Sequence, residues 1–419
     1  MREGRTFRVA GEAPSGLGEE QQPGRESAVV FGAGSVGRGF LGQLLTESGY
    51  EVVFVDLDAP LVAALAERGG YTLRLSGVTG VEDRTIAPVR AVDGRDGVAV
   101  AREVSRAGLV ATAVGARALQ AIAGPIADGL SQRWADPDAA PLNVIICENL
   151  HDAPEQLRGF VGAALSDVER NRLDAGVGFV PAVIARMSPV PTAEQRAADV
   201  SLIVAEPYKV LPVDRDAFVG PIPEVVGMVA VAPFEAYTAR KLFIHNAAHA
   251  LLGYLGYQRG YTYGYEALDD AWVRSRVDQA LRESSQALIR AYGFEPVALQ
   301  EHMDYLLVRF ANRALSDPIS RLSRDPLRKL APGDRLVGAA RLAEAYGLAT
   351  DGLAWGIAAA LAYDGAGDDH AAALRARIAR EGVASVLAAV CAIAADEPLG
   401  GRVLERYDEL TTDNGQTRS

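Results

Sequence analysis

The sequence predicts an α/β N-terminal region followed by a mostly α-helical C-terminal region. Over the first half of the chain, short apolar runs that end in glycine or polar residues alternate with helical stretches, a pattern typical of a parallel sheet. From about Pro223 onwards, apolar residues recur with the 3.6-residue period of helices. Because 419 residues exceed the size of one ordinary core, two domains are expected.

This pattern divides the chain into four segments. Residues 1–26 are rich in Gly, Glu, Gln, Arg and Pro and lack an apolar stretch, which predicts a flexible tail or a wrongly assigned start and not a signal peptide. The α/β domain is predicted at residues 27–212, with its last strands within 176–189 and 200–208. The helical domain is predicted at residues 213–410, and residues 411–419 are expected to be loose.

The first predicted strand, SAVVF, leads directly into a glycine-rich turn with the G-x-G-x-x-G spacing. A helical stretch follows, and then a second strand, EVVFVD, that ends at Asp56. In this motif the first glycine allows a tight turn, the second lets a pyrophosphate approach the backbone, and the third lets helix and strand pack closely. Asp56 is expected to bind the ribose hydroxyls and repel a 2′-phosphate, so the motif predicts a Rossmann domain that prefers NAD to NADP. The predicted cofactor contacts here are Gly32, Ala33, Gly34, Ser35, Val36, Gly37 and Asp56.

Two further strands are predicted to end beside the same cofactor, because parallel α/β sheets bind ligands at the carboxyl ends of their strands. The strand 108–115 ends at Val114 and Gly115, which are predicted cofactor contacts. The strand 141–149 ends at Glu148 and Asn149. Asn149 is a candidate substrate contact, although asparagine is also common as a turn or cap residue.

The segment 235–253, EAYTARKLFIHNAAHALLG, is the strongest candidate for a catalytic helix. On a helical wheel, Lys241, His245, Asn246 and His249 share one wide face. A solvated face would more commonly carry Glu, Arg and Gln, so this face predicts a site. The residues expected to pack on the opposite side are Phe243, Ala247, Ala250 and Leu251.

Lysine is rare in this chain. Lys209, Lys241 and Lys329 are the only lysines, and arginine supplies the other basic side chains. A buried lysine can lose its proton and act as a base, whereas arginine keeps its charge. Lys241 is therefore a candidate general base, and the alternative is a helix lysine that extends into solvent.

Residues 321–335, RLSRDPLRKLAPGDR, form a basic segment in a chain whose net charge is −12. Its prolines, Pro326 and Pro332, predict short turns in place of a long helix. Arginine favours bidentate contact with phosphate or carboxylate, so the segment predicts an anion site. The alternative is a basic surface loop paired with Asp325 and Asp334. The basic residues are Arg321, Arg324, Arg328, Lys329 and Arg335.

Together these motifs resemble those of the polyol-specific long-chain dehydrogenases. The resemblance rests on GAGSVGRGF, on CEN at 147–149, on the K-x-x-x-x-N-x-x-H pattern and on DPLRKLAPGDRL at 325–336, and it runs from about residue 28 to about residue 410. It implies a metal-free NAD-dependent oxidoreductase that interconverts a sugar-alcohol phosphate and a ketose phosphate, the expected pair being mannitol 1-phosphate and fructose 6-phosphate. By position, Lys241 would be the general base, Asn149 and Asn246 would hold the substrate oxygen, and His249 would orient the substrate.

Two positions depart from the family pattern. Many relatives have an Asp-Arg pair beside the substrate where this chain has Ala185-Arg186, and some have a proton-carrying Glu where it has Thr238. The identity of the polyol and the path of the proton are therefore open. The expected phosphate ligands are Arg186, Arg324, Arg328, Lys329 and Arg335.

The composition of the chain limits the kinds of partner that it is expected to bind. A net charge of −12 argues against nucleic acid or an anionic membrane as the main partner, and no apolar run has the length of a membrane span. The two cysteines, Cys147 and Cys391, cannot form a disulfide framework and fit a reducing cytoplasm. We expect a monomer or a small homo-oligomer that binds a small-molecule substrate.

Three other functions are compatible with parts of the pattern. His245 and His249 have the H-x-x-x-H spacing of a zinc hydrolase, but Asn246 stands at the position of the catalytic glutamate and no third ligand is evident. A non-catalytic NAD-binding sensor would not need the four polar residues Asn149, Lys241, Asn246 and His249 together. A dehydrogenase of an unphosphorylated polyol or a sugar acid, of the mannitol/fructose or uronate type, stays open.

Overall fold

The structure is a computed structural model that describes residues 25–189 and 191–417. The expected flexible tail, residues 1–26, lies outside the described residues apart from Arg25 and Glu26. The strands are β1 Ser27–Phe31, β2 Glu51–Asp56, β3 Tyr71–Gly77, β4 Gly80–Ile86, β5 Val89–Asp93, β6 Leu109–Thr112, β7 Leu142–Ile146, β8 Val177–Pro181, β9 Ile203–Ala205, β10 Leu211–Asp214 and β11 Met228–Val231.

Helices connect these strands and make up nearly all of the C-terminal domain. Two π-helical turns, Gly37–Leu41 and Lys241–Asn246, directly precede α1 and α10. The α-helices are α1 Gly42–Glu47, α2 Ala59–Arg68, α3 Gly97–Arg106, α4 Leu119–Arg133, α5 Ala153–Ala164, α6 Asp167–Arg170, α7 Leu173–Gly176, α8 Ala193–Ala198, α9 Phe234–Arg240, α10 Ala247–Gln258, α11 Gly264–Asp269, α12 Ala271–Tyr292, α13 Pro296–Phe310, α14 Ile319–Ser323, α15 Pro326–Lys329, α16 Val337–Ala345, α17 Asp351–Leu361, α18 Asp369–Glu381, α19 Val383–Cys391 and α20 Pro398–Thr417.

A six-stranded parallel sheet in the order β5-β2-β1-β6-β7-β8 forms the centre of the N-terminal domain. When the six strands of this sheet alone are numbered along the chain, their order is 3-2-1-4-5-6, which is the order of the Rossmann fold. The strand order reverses at β1. Both faces of the sheet are covered, since the neighbouring residues Val29 and Val30 are each fully buried. This burial explains the continuous apolar runs in the sequence. The reversal of strand order between β1 and β6 is the position at which a ligand crevice is expected, at the carboxyl ends of the two strands.

The last strands differ from the prediction. β8 ends at Pro181, and β9 joins β3 and β4 in a separate sheet. Residues 228–231, expected to be helical, form β11, which pairs in parallel with β10. Leu211 and Val213 of β10 pack into the N-terminal core, so this domain's packing continues beyond residue 212. Strands of three or four residues leave too short a pattern for periodicity to distinguish from helix.

The helical domain is organised around α17, which is apolar on all sides. Residues 352–361 of this helix are all buried, and α10 and α12 pack against it. Gly356 permits this approach, because a Cβ there would collide with Leu251 of α10. The final helix, α20, extends to Thr417, so most of the segment expected to be loose is helical, and residues 418–419 lie outside the described part.

Buried polar contacts join the two domains. Arg309 at the end of α13 forms an ion pair with Glu206, with Nη2 to Oε1 at 2.5 Å and Nε to Oε2 at 2.8 Å. Asn312 donates to the carbonyl oxygen of Ser76 at 2.7 Å. These contacts join the helical domain to the small sheet of β4, β3 and β9, because Ser76 lies in β3 and Glu206 directly follows β9. None of the helices that the structure describes is both long and apolar enough to traverse a bilayer.

Candidate active site

The three glycines of the G-x-G-x-x-G turn differ in backbone conformation and in the space around them. Gly32 has a φ of 91°, and a Cβ there would collide with the carbonyl oxygen of Ala113. Gly37 lies so close to the carbonyl of Gly32 that a Cβ would not fit. Gly34, in contrast, is exposed, and a Cβ there would meet no atom within 4 Å. This open space fits the close approach of a pyrophosphate to the backbone.

Ser35 and Val36 lead from this turn into the π-helical turn and α1. The N-terminus of this helical stretch lies beside the open space, where free N–H groups favour a phosphate. The side chain of Arg38 holds the glycine turn in place from below, because its Nε donates to the carbonyl oxygen of Ala33 at 2.5 Å. Arg38 is buried and therefore has a structural role beneath the cofactor site.

Asp56 ends β2 beside the glycine turn, as predicted. Its Oδ2 accepts a hydrogen bond from the backbone N–H of Ala33 at 2.6 Å, and its Oδ1 accepts one from Asp58 at 2.9 Å. The carboxylate therefore faces the turn that would hold the adenosine half of a dinucleotide. The adjacent Leu57 was not predicted, yet it is 59% exposed and offers an apolar surface for an adenine ring.

Glu148 joins two of the strand ends that were predicted to face the cofactor. Its carboxyl group accepts hydrogen bonds from Thr112 Oγ1 at 2.5 Å and from the N–H of Val114 at 3.0 Å. Burial raises the pKa of Glu148, although these hydrogen bonds oppose the shift. Gly115 has a φ of 85° and is exposed, with open space at its Cβ position, so this loop also permits close approach of a ligand.

The predicted catalytic helix is interrupted by a π-helical turn. α9 ends at Arg240, residues 241–246 form the π turn, and α10 continues from Ala247. Hydrogen bonds in a π turn join residues five apart, so Lys241 and Asn246 lie one above the other. On a regular helix these residues would diverge by about 140°. The π turn thus brings Lys241 and Asn246 closer together on the polar face than a regular helix would.

Lys241 reaches across the domain interface to Asn149. Its Nζ donates a hydrogen bond to Asn149 Oδ1 at 2.7 Å. Burial, with a further contribution from the charge of Arg335, lowers the pKa of Lys241 to about 8. The amine can therefore be neutral near physiological pH, and the amide Nδ2 of Asn149 remains available to donate to a substrate oxygen.

Asn246 and the two histidines complete this face. The side chain of Asn246 makes no hydrogen bond to any residue that the structure describes. His249 Nε2 lies 3.2 Å from Asp317 Oδ2, and its ring stacks on Phe310. His245 is buried, and burial strongly lowers its pKa, with Arg309 contributing further. Within the described ranges, no three His, Cys, Asp or Glu side chains are grouped so that they could hold a metal ion.

The predicted phosphate ligands are not all equally available. Arg328 forms ion pairs with Asp325 at 2.7 Å and Asp334 at 3.7 Å, and Arg335 pairs with Asp334 at 2.7 Å. These are the pairings that the surface-loop alternative expected. Arg324 and Lys329 are the basic residues of this segment for which the described residues provide no ion pair, and of the two only Arg324 is exposed.

Lys329 and Arg186 are buried. Lys329 Nζ donates to the carbonyl oxygen of Leu322 and lies over the ring of Tyr254, and burial lowers its pKa to about 7. Arg335 links this region to the catalytic helix, because its charge lowers the pKa of both Lys329 and Lys241.

Arg186 lies within the Rossmann domain. Its Nη1 donates to Gln43 at 2.8 Å and its Nε donates to the carbonyl oxygen of Glu206 at 2.6 Å, and burial lowers its pKa to about 10. The structure therefore brings Asn149, Lys241 and Arg335 together but does not place Arg186 with them.

Two family models together match nearly the whole chain. The model of the mannitol dehydrogenase Rossmann domain matches residues 26–227, and the model of the mannitol dehydrogenase C-terminal domain matches residues 233–411. The chain belongs to the mannitol dehydrogenase family. Its membership confirms the predicted family, the oxidoreductase class and NAD as the cofactor.

Curated members of the mannitol dehydrogenase family are similar over almost their full length. The chain is 39% identical to the mannitol-1-phosphate 5-dehydrogenase of Brevibacillus brevis, over 91% of this chain and 98% of that protein. It is 37% identical to the enzyme of the same name from Bacillus subtilis, over 91% of this chain and 100% of that protein.

Solved structures confirm the fold. A ternary complex of Pseudomonas fluorescens mannitol 2-dehydrogenase with NAD and D-mannitol matches with a TM-score of 0.73, at 19% identity, over 94% of this chain and 93% of that one. A substrate-free D-sorbitol dehydrogenase matches with a TM-score of 0.75, at 18% identity, over 93% of this chain and 94% of that one.

Several residues around the predicted catalytic face of this mannitol dehydrogenase family member have no signal in the sequence. Phe310 and Asp317 contact His249, but they lie more than 60 positions away in the chain, and neither belongs to a motif. Arg309 and Glu206 form the buried ion pair between the domains. Of these residues, only Arg309 has a signal in the sequence, because it is a polar residue near the end of a predicted helix.

Proposed function

We propose that the protein is an NAD-dependent, metal-independent mannitol-1-phosphate 5-dehydrogenase with Lys241 as the general base. The observation that supports the proposal is the 2.7 Å contact of Lys241 Nζ, on a lysine of lowered pKa, with Oδ1 of Asn149, which follows β7. Parallel α/β sheets bind their ligands at the carboxyl ends of their strands. The names of the curated relatives support a phosphorylated substrate.

The proposed chemistry follows from the positions of these side chains. Oxidation of a secondary alcohol removes the hydroxyl proton, which Lys241 accepts, and a hydride, for which bound NAD⁺ is the acceptor. Asn149 Nδ2 and the amide of Asn246 donate to the oxygen as its negative charge develops. In the reverse direction the same amides polarise the ketone, and protonated Lys241 returns the proton.

Product identification tests this function. Purified protein incubated with mannitol 1-phosphate, NAD⁺ and a strong chelator should form NADH and fructose 6-phosphate in equal amounts. Formation of another ketose phosphate, or loss of activity that added zinc restores, would contradict the proposal. Mannitol and a hexonate serve as comparison substrates, because they represent the unphosphorylated-polyol and sugar-acid alternatives.

The pH dependence of the reaction should report the pKa of Lys241. Oxidation needs the neutral amine, so the kcat for oxidation should rise with pH and level off above the pKa of Lys241, about 8. Reduction needs the protonated amine, so its kcat should fall over the same range. We would measure kcat at saturating substrate in both directions; profiles with the same slope in both directions would exclude this role.

The cofactor preference should follow from Asp56. We expect kcat/KM with NADH to exceed that with NADPH by about tenfold or more, the equivalent of ~1.4 kcal/mol. Asp56→Asn retains an acceptor for Ala33 N–H and removes the negative charge, so it should reduce this ratio. An equal preference in the parent protein, or an unchanged ratio in the variant, would contradict the assignment of Asp56.

Arg324 should contribute to recognition of the phosphate, because it is exposed and unpaired among the described residues. Arg324→Gln should raise the KM for fructose 6-phosphate by about tenfold to a hundredfold, the range for hydrogen bonds to charged groups. The KM for fructose should not change. Arg313→Gln is the matched control, since Arg313 is an exposed arginine paired with Asp269. Equal effects on both sugars would show that Arg324 is structural.

A further inference from the structure

His249 is held by two groups that come from outside its own helix. Its ring stacks on Phe310 with centroids 4.6 Å apart and an angle of 11° between the planes. Its Nε2 lies 3.2 Å from Asp317 Oδ2. The side chain of His249 remains 18% exposed, and that of Asp317 is 16% exposed. The imidazole therefore has one edge committed to the protein and one edge open.

Asp317 itself is fixed by its neighbours. Arg321 Nη1 contacts both carboxylate oxygens at 2.6 Å. The carbonyl oxygen of Asp317 accepts the N–H of Gly264 at 3.0 Å, and the N–H of Ile319 donates to Thr262 at 2.9 Å. Burial acts to raise the pKa of Asp317, but the hydrogen bond with His249 and the charge and hydrogen bonds of Arg321 outweigh it and leave the pKa lowered. The group is thus an ionised carboxylate with a fixed orientation.

An ionised carboxylate can only accept hydrogen bonds. The hydrogen between Asp317 and His249 must therefore belong to Nε2. In a neutral imidazole the other nitrogen, Nδ1, then has a lone pair and no hydrogen. Nδ1 of His249 makes no hydrogen bond to any of the residues described in the structure. It is therefore free to accept a hydrogen bond from a ligand.

Burial, helped by nearby positive charges, favours the neutral form of His249. Burial lowers the pKa of His249, and the positive charges of Arg321 and Lys329 act in the same direction, although the hydrogen bond with Asp317 opposes them. His245, whose ring centroid lies 5.7 Å away, is itself neutral, because burial strongly lowers its pKa. A neutral imidazole has two tautomers, so the identity of the protonated nitrogen decides what His249 can bind.

We propose that Asp317 is a positioning residue that fixes His249 as the Nε2–H tautomer, so that Nδ1 accepts a hydrogen bond from a hydroxyl group of the substrate. The part that concerns the substrate rests on the proposed function. His249 then selects for a hydroxyl donor at one carbon of the sugar chain and takes no part in moving the reacting proton. In the opposite tautomer Nδ1 would carry the hydrogen. Nδ1 would then donate a hydrogen bond, and the oxygen of the substrate hydroxyl would have to accept it.

The tautomer can be measured without substrate. Nitrogen-15 NMR of histidine-labelled protein at neutral pH distinguishes protonated from unprotonated ring nitrogens, and the chain has only 5 histidines. The signals that disappear in His249→Asn belong to His249. The parent protein should show a protonated Nε2 and an unprotonated Nδ1, and a protonated Nδ1 would overturn the proposal even if the enzyme oxidised a different polyol.

Asp317→Asn tests the positioning role. An amide can present either its oxygen or its NH₂ group to Nε2, so the variant should populate both tautomers. We expect kcat/KM for fructose 6-phosphate to fall by about tenfold to a hundredfold, mainly through KM, while the KM for NADH stays unchanged. An Asp317→Asn protein with the parent's tautomer and the parent's kcat/KM would refute the proposal.

Arg321→Gln is the matched control. It removes the ion pair with Asp317 but leaves the carboxylate beside His249. The tautomer should be retained, and kcat/KM should change by no more than about fivefold, as for an exposed ion pair. If Arg321→Gln reproduces the full loss seen in Asp317→Asn without a change of tautomer, the cluster stabilises the loop and does not position His249. Absence of activity with fructose 6-phosphate in the parent, with the tautomer as expected, would refute the proposed substrate alone.

Discussion

Lys241→Ala is expected to lower kcat for mannitol 1-phosphate oxidation by about 10²–10⁴-fold, the usual contribution of a general base. The reason is that Lys241 combines a pKa of about 8 with a direct contact to Asn149 at the cofactor side of the sheet. NADH affinity, measured by fluorescence titration, should remain close to that of the parent. Added primary amines should restore part of the activity, with an efficiency that follows their basicity.

Lys241→Arg distinguishes a base from a positive charge. Guanidinium keeps its proton at any working pH, so this variant should be as inactive as Lys241→Ala. Lys209→Arg is the control, because Lys209 lies on the Rossmann domain and pairs with Glu47 at 2.9 Å. If Lys241→Arg retains more than about a tenth of the parent's kcat, the base lies elsewhere.

Asn246→Ala should reduce kcat by about 10²–10³-fold, the typical loss of one donor to a developing oxyanion. The side chain of Asn246 is not engaged by another described residue, and the π turn aligns it with Lys241. The NH₂ group of the Asn246 amide is therefore free to donate a hydrogen bond to the substrate oxygen.

Asn246→Asp separates hydrogen bonding from packing. The two side chains have the same shape, but an ionised carboxylate donates no hydrogen bond. We expect this variant to be as impaired as Asn246→Ala when kcat is measured above the pKa of Lys241. An Asp variant with parental kcat, or an Ala variant reduced by less than about tenfold, would show that Asn246 only fills space.

The form of the glycine-rich turn could be predicted from the sequence because each requirement is local. Gly32, Gly34 and Gly37 serve a positive φ, an open approach and a close packing contact, and each depends on a few neighbouring residues. The position of Asp56 at the end of β2 follows in the same way from strand length. Very few residue types can meet such backbone requirements, so the positions can be recognised in the sequence.

The geometry of the predicted catalytic helix could be predicted only in part. The polar face of Lys241, Asn246 and His249 follows from spacing, but the π turn that aligns Lys241 with Asn246 has no sequence signature. Helix propensity does not distinguish a π turn from an α turn. The choice depends on how α9 and α10 pack against the rest of the domain.

The roles within the basic segment could not be predicted from charge alone. The sequence identifies the five basic residues of the segment, but the tertiary structure determines that Lys329 is buried and that Arg324 is exposed. The contact of His249 with Asp317 likewise depends on the path of the chain between α13 and α14. Pairings across long sequence separations need the tertiary structure.

The most direct test of the central claim is the ratio of kcat/KM for fructose 6-phosphate to that for fructose, measured by NADH consumption with one preparation of the protein. A phosphate held by a charge-assisted contact should favour fructose 6-phosphate by at least about a hundredfold, the equivalent of ~2.7 kcal/mol. A ratio near one, or a higher kcat/KM for fructose or for a keto acid such as tagaturonate, would contradict the assignment as a mannitol-1-phosphate 5-dehydrogenase.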